Sequence, residues 1–428
     1  MKEFKKIFAK VLKNKFIIFL LIVFVIELFL RFYDIPSKNP FGYDQVDNAW
    51  AAKDLIVNHK YPLVGMVAKA NSGIYIGPSY YYIVSVFYFL TNLHPIASGL
   101  IAGLTSIFSF WTIYFVAQKL FNKEVALLAV IINTFNMYNI ISDRVQWPVN
   151  FIAPISLLIF YLLYKIISGD ARKIILLAIV VGFAFHIHVT AIFYLVIILL
   201  STPFFSRSLE MVKYGLISIP LFLVWLIPNY IYASQNNFYG SNLNFYIGNY
   251  YHGFHATRFI QIMNDAFLQF DFYVIFEKLK IIKLFLVPLF IFAYLKKKLD
   301  FKKLKLVYLI VLWYLVPWIL LAMFSGEISD YYYAINRYIG LIIISYLIYK
   351  VWEYGSFAHK GLVVVLLFAY CTYNLTLFFP YKDVGISDRM INAQKAIDEG
   401  RRVEFEIGVP ETYFYYYLMM KQKGINVY

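Results

Sequence analysis

Long apolar blocks fix what this chain can fold into. FIIFLLIVFVIELFL near the start, IASGLIAGLTSIFSFWTIYFV beyond residue 95, and similar runs as far as residue 379 are each built to cross a bilayer as a helix. Counting them gives spans near 16–32, 95–117, 124–140, 150–167, 173–187, 189–205, 213–232, 281–295, 304–323, 337–352 and 360–379. The stretch 173–205 is too long for one crossing of ~20 residues, and HIHVT divides it. These runs are also too continuous for the ~10-residue alternating strands of an outer-membrane barrel. Composition agrees: 61% of the residues are apolar and 15% charged, where soluble domains hold about half and a quarter. The expected fold is an all-α polytopic membrane protein.

Charge placement sets the topology. A net charge of +15 would point a soluble protein toward nucleic acid. Here the Lys and Arg gather in the N-terminus and in short segments at 118–123, 168–173, 206–213, 296–305 and 350–360, as cytoplasmic loops should. That alternation holds only if SYYYIVSVFYFLTN (79–92) is not a span; counting it would translocate KKKLDFKKLK. It therefore reads as a Tyr-rich interfacial helix on the outer surface. The result is about eleven transmembrane helices, N-terminus in and C-terminus out. No small-residue cleavage site follows the first run, so it reads as a retained span rather than a signal peptide. Residues 1–379 form the transmembrane domain, with a long outer loop at 33–94. Residues 380–428 form a small α/β extracytoplasmic segment, with helical RMINAQKAIDEG and TYFYYYLMMKQKG around strand-like VEFEIGV. Cys371, alone in an apolar run, forms no intrachain disulfide and reads as packing.

Four stretches carry residues suited to chemistry. FGYDQVDNAW opens the outer loop with Asp44 and Asp47, which helical spacing puts near one face. Such acids bind a metal, act as a base or cap a helix, and Asp44 is itself a plausible N-cap for VDNAWAAKDLI. Lys69, the turn NSGIYIGP and the tyrosines of GPSYYY, Tyr81 among them, share the loop. SDRVQWPVN holds Asp143 and Arg144, the arginine either snorkelling or gripping an anion with its planar fork. FHIHVT supplies His186 and His188; no Cys or nearby acid completes a metal set, and His188 suits the wall of a polar cavity. SGEISDYYYAINRY combines Glu327, Asp330, Tyr332 and Arg337, where the arginine either meets a phosphate head group or snorkels from an aromatic belt. No P-loop, dinucleotide fingerprint or GxSxG elbow is present. An enzyme on the outer face has no access to cytosolic nucleotide sugars.

A basic N-terminus, one span and a long outer loop with an acidic start resemble the GT-C glycosyltransferase superfamily. YDQVDNAWAAKDLI followed by GPSYYYIVSVFYFL is similar to its protein O-mannosyltransferase-like branch, which includes the lipid A aminoarabinose transferase. The resemblance covers roughly residues 1–210, and DYYY near 331 shares it. Many members begin the loop with Asp-Glu; this chain has Asp44-Gln45, with Asp47 a turn on. The resemblance implies metal-independent, cofactor-free transfer of a sugar from a polyprenyl-phosphate donor to a glycan, lipid or protein acceptor. The reaction would be inverting, on the extracytoplasmic side of the plasma membrane. It implies a catalytic carboxylate, Asp44 or Asp47, acting as base or orienting group for the acceptor hydroxyl, and donor-phosphate contacts from Arg144, Arg337, Lys69 and His188. Tyr81, Tyr332 and Glu327 would line the substrate cavity.

Two other classes compete. A lipid-linked sugar transporter or flippase would show helices broken at mid-membrane and inverted repeats, whereas the polar clusters here gather at the outer ends. An O-antigen polymerase or ligase-like protein would carry a large late loop with Arg and His, and 233–280 has His252, His255 and Arg258. Convergence of Asp44, Arg144, His188 and Arg337 on one outer cavity separates an enzyme from both.

Overall fold

A computed structural model describes residues 14–68, 72–236, 240–275, 304–401 and 410–424. Among these there is no strand, only isolated bridges such as Pro40 to Gly385 and Val67 to Tyr75. The helices used below are α1 (Lys15–Phe32), α2 (Tyr43–Val57), α3 (Ser79–Leu90), α4 (Ala97–Leu120), α5 (Lys123–Phe135), α6 (Met137–Asp143), α7 (Ile152–Ile167), α8 (Lys173–Phe185), α9 (Ile192–Ser201), α10 (Leu209–Gln235), α11 (Gly240–Tyr250), α12 (Ala256–Ile275), α13 (Leu304–Ala322), α14 (Ala334–Tyr354), α15 (Phe357–Phe378), α16 (Ile386–Asp398) and α17 (Pro410–Gln422). Among the described residues six helices are long and apolar enough to cross a membrane, or seven if α5 and α6 form one broken span. Helix α1 has the length but carries Glu27 and Arg31, a buried i,i+4 ion pair at 3.0 Å. The expected span at 281–295, the strand-like VEFEIGV and Lys69 lie outside the described residues. Helix α3, at 12 residues, is too short to cross, because 1.5 Å per residue gives about 18 Å against a ~30 Å core.

The sequence places one span at 124–140, and the structure breaks it. Helix α5 stops at Asn136, whose side chain accepts from the Asn139 N–H at 2.8 Å and starts a new helix, α6. The two are bent by 71°. A broken helix frees backbone donors that a bilayer cannot satisfy. Here the Met137 N–H finds Asn374 Oδ1 of α15 at 2.8 Å, and Asn139 Nδ2 donates to Asn133 Oδ1 at 3.0 Å. The Asn133, Asn136 and Asn139 spacing is thus the device that turns α6 aside.

One end of the bundle is tied by the Phe121 and Tyr346 rings, 4.5 Å apart, and by Lys305 Nζ donating to the Ile167 carbonyl at 2.6 Å. The opposite end gathers the loop 33–94, the turn at 143–150, the FHIHVT break and residues 325–333. Lys38 fastens that end, its ammonium donating to the carbonyls of Phe378, Phe379 and Tyr381 at 3.2, 2.8 and 2.5 Å. The tail helices α16 and α17 pair with each other, α17 docking on α2 and α16 on the short helical turn Ile35–Lys38. Phe41 meets Phe414 at 4.7 Å, Tyr413 Oη donates to the Leu93 carbonyl at 2.9 Å, and Arg389 pairs with Glu411. Tyr413 and Phe414 are wholly buried. The tail is therefore a buttress behind the helix that bears Asp44.

Candidate active site

Helix α2 starts at Gly42, whose N–H donates to Gln45 Oε1 at 2.8 Å. Asp44 is therefore not the N-cap that the sequence allows; it stands in the first helical turn. Gln45 anchors the other face of that turn, donating to the Gln146 carbonyl at 2.7 Å. Gln146 in turn donates to Tyr80 Oη at 2.8 Å. Asp44 and Asp47 are left half-buried, and they differ in their partners. Tyr81 Oη donates to Asp47 Oδ2 at 2.6 Å. Among the described residues no side chain hydrogen-bonds the Asp44 carboxylate. Burial raises the pKa of Asp44 above the ordinary aspartate value, and the charge of Asp47 adds to this. Burial likewise raises Asp47, with the Tyr81 hydrogen bond opposing. The Tyr81 phenol is pushed up by burial and by both carboxylates, so it stays a donor.

The turn before α3 docks on the FHIHVT break. The His186 ring accepts at Nδ1 from Ser79 Oγ (2.7 Å), and its Nε2 meets the Trp225 carbonyl at 2.5 Å. Gly77 must be glycine there, since a Cβ would lie 2.2 Å from the His186 ring. His186 is thus a latch. His188 faces the other way. Its Nδ1 accepts from the Thr190 N–H at 3.2 Å, which leaves the proton of the neutral ring on Nε2. Its ring packs edge-on against Tyr331 and Tyr332 at 5.4 and 5.3 Å.

A cavity of about 230 Å³ opens where α6, the turn at 143–150, residues 330–331 and α14 meet. Tyr138, Ser142, Trp147, Asn150, Asp330, Tyr331, Arg337 and Asn374 supply its polar and aromatic lining. Arg337 lies over the Tyr138 ring at 4.8 Å and donates from Nη2 to Tyr138 Oη at 3.0 Å. Tyr138 Oη donates to Asp330 Oδ2 at 2.9 Å. An arginine, a phenol and a carboxylate therefore form one chain along the cavity wall. Tyr331 links this wall to the loop acids. It meets Trp147 at 5.5 Å and stacks on buried Tyr332 at 5.0 Å. Burial raises its phenol, and Asp44, Asp330 and Glu327 all press in the same direction.

Tyr331 thus packs against His188 and Tyr332, shares the cavity wall with Arg337 and feels the charges of Asp44 and Glu327, while Tyr81 is held to Asp47. Arg144 does not join them. It is buried, donating to the carbonyls of Leu30 and Arg31 at 2.8 and 3.0 Å and of Tyr33 and Asp34 at 2.6 and 3.3 Å. Asp143 likewise turns inward to Arg31, 3.1 Å away. The expected anion-binding arginine is a clamp on the end of α1. Sequence reasoning missed Tyr138, Trp147 and Asn150 as lining residues. Tyr138 was hidden inside an apolar run, and only the three asparagines around it signal that the run breaks.

The described residues thus form a helical bundle with one broken helix pair and a polar cavity beside the break. Residues 76–232 match the family model described as dolichyl-phosphate-mannose-protein mannosyltransferase. No curated protein matches the sequence. Among solved structures, ArnT from Cupriavidus metallidurans bound to undecaprenyl phosphate aligns over 96% of this chain and 76% of its own, at 12% identity and a TM-score of 0.51. The Archaeoglobus fulgidus oligosaccharyltransferase in its apo form aligns over 95% of this chain and 60% of its own, at 13% identity and 0.55. The same archaeal enzyme, AglB, in complex with an inhibitory peptide and a dolichol-phosphate gives 12% identity and 0.53. At such identity the likeness is one of fold. The chain shares the fold of these structures, and its residues 76–232 match the mannosyltransferase family model.

Proposed function

We propose that this protein transfers a sugar from a polyprenyl-phosphate donor to an acceptor on the extracytoplasmic face of the plasma membrane, inverting the anomeric carbon. The observation that supports the reading is a cavity walled by Arg337, Asp330 and Tyr331, with His188 against the Tyr331 ring and the charge of Asp44 felt at its phenol. The acceptor oxygen attacks C1 while the bond from C1 to the phosphate oxygen breaks, and the lipid phosphate leaves with that electron pair. The acceptor proton passes to Asp44, whose carboxylate has no hydrogen-bond partner among the described side chains and whose proton affinity burial raises above that of an ordinary aspartate. Asp47, held by the Tyr81 hydrogen bond, lies near enough for its charge to add to that rise. Arg337, and His188 through its Nε2–H, face the charge that develops on the departing phosphate; Lys69 belongs to the same loop. Arg144 we assign to holding the site end of α1.

Membranes carrying the protein are supplied with radiolabelled polyprenyl-phosphate sugars. Covalent label in a product distinct from the donor, absent from membranes without the protein, is the expected result. Label that crosses the bilayer still on its carrier would mean a flippase and would overturn the reading.

A further inference from the structure

Arg31 is wholly buried in the last turn of α1, and its planar fork reaches both sides of the α5–α6 break. The last carbonyls of a helix have no donor within it, and the bend removes a donor that an unbroken span would supply. The Met137 N–H, which would meet the Asn133 carbonyl in a continuous helix, goes to Asn374 instead. Arg31 makes up the loss. Its Nη1 donates to the Thr134 carbonyl at 2.6 Å and its Nη2 to the Asn133 carbonyl at 3.2 Å. The same group holds the far end of α6, with Nε and Nη2 donating to Asp143 Oδ2 at 3.3 and 3.1 Å. Glu27, one turn back on α1, lies 3.0 Å from Nη1.

An ionised trio sealed inside a bundle seldom stabilises it more than apolar side chains of similar size would. What the trio adds here is geometry. One rigid guanidinium bonded to the last turn of α5 and to the last residue of α6 fixes the 71° between them, since swinging α6 would break charge-assisted hydrogen bonds with no water to replace them. Tyr138 and Ser142 of α6 line the cavity, and Arg337 donates to Tyr138 Oη. Asp143 and Arg337 also feel each other's charge. We propose that Arg31, with Asp143, is a positioning residue: sealed from any substrate, it locks α6 at its angle and so sets the shape of the Arg337 cavity. Resting on the transferase reading above, it thereby sets the affinity for the donor.

In full-length reconstituted protein, Ser142→Cys in a Cys371→Ser background reports the opening of the cavity by its rate of maleimide labelling, whatever the reaction. Adding Asp143→Leu frees α6 and leaves Arg31 balanced by Glu27. Labelling should quicken about tenfold, the worth of one hydrogen bond to a charged group in the opening equilibrium. The triple change Glu27→Leu, Arg31→Met and Asp143→Leu removes the trio as a unit, and should unfold at or above the wild-type temperature. It should still label about tenfold faster and, in transfer assays, raise KM for the donor about tenfold with KM for the acceptor unchanged. A trio that only stabilises would leave labelling and donor KM at wild-type values in the triple variant, and that result overturns the proposal. Faster labelling in a protein that transfers nothing would uphold the lock and count against the transferase reading alone.

Discussion

The Arg144 guanidinium meets four main-chain carbonyls of residues 30–34, while that of Arg337 lies on a phenol ring at the wall of a cavity. A lysine presents a point charge and cannot reproduce a fork shared among several carbonyls. Arg144→Lys should therefore cost about 1–3 kcal/mol of stability, read as a lower unfolding temperature, with KM unchanged in the folded fraction. Arg337→Lys should keep the fold and raise KM for the donor about tenfold, for loss of an interaction with a charged group. The two aspartates make a pH prediction. Asp44 must be ionised to take a proton, so the rate falls as pH drops through its raised pKa. Asp47→Asn removes the neighbouring charge that helps to raise it, and should move the acid limb of the rate profile to lower pH. Stability runs the other way. A carboxylate whose pKa rises on folding makes the folded state less stable as pH climbs from the unfolded to the folded value. Asp44→Asn cannot ionise and should unfold no sooner than wild type at neutral pH.

Among the elements, the break between α5 and α6 does most to shape the cavity, and it depends on few atoms. Asn374→Ala leaves the Met137 N–H without its acceptor in an apolar setting. An expected loss of about 1–3 kcal/mol should accompany a fall in transfer, because Tyr138 rides on α6. Unchanged activity and unfolding temperature would show that α6 is held by other means. The break also marks where sequence reasoning stops. Hydropathy sums residues and sees 124–140 as one span, whereas capping by Asn136 is a local contest between a side chain and the next turn. By contrast, the break at HIHVT and the short α3 were legible, although α8 and α9, at 13 and 10 residues, are shorter than the two spans expected there. Asp44, His188, Arg337 and Arg144 alike stand out in the sequence as polar residues at helix ends. That the Arg144 guanidinium is engaged by main-chain carbonyls is something no side-chain pattern announces.

Across the whole molecule, the tail closes on the loop that begins the site, joining residues more than 300 apart in sequence. Tyr413 is central to that contact, and Tyr413→Ala should cost about 3–5 kcal/mol by leaving a cavity. Limited proteolysis should then release residues beyond 380, and transfer should fall although no reacting group is touched. Such a long-range closure was not legible in the sequence, where the tail reads as a segment apart. The central claim is that Asp44 takes the acceptor proton in transfer from a polyprenyl-phosphate sugar. Its most direct test is single-turnover transfer by the purified, reconstituted protein, comparing wild type with Asp44→Asn and Asp47→Asn. Loss of the general base should slow Asp44→Asn about 10²–10⁴-fold, with Asp47→Asn less impaired. Wild-type rates in Asp44→Asn, or abolition by Asp47→Asn alone, would contradict it.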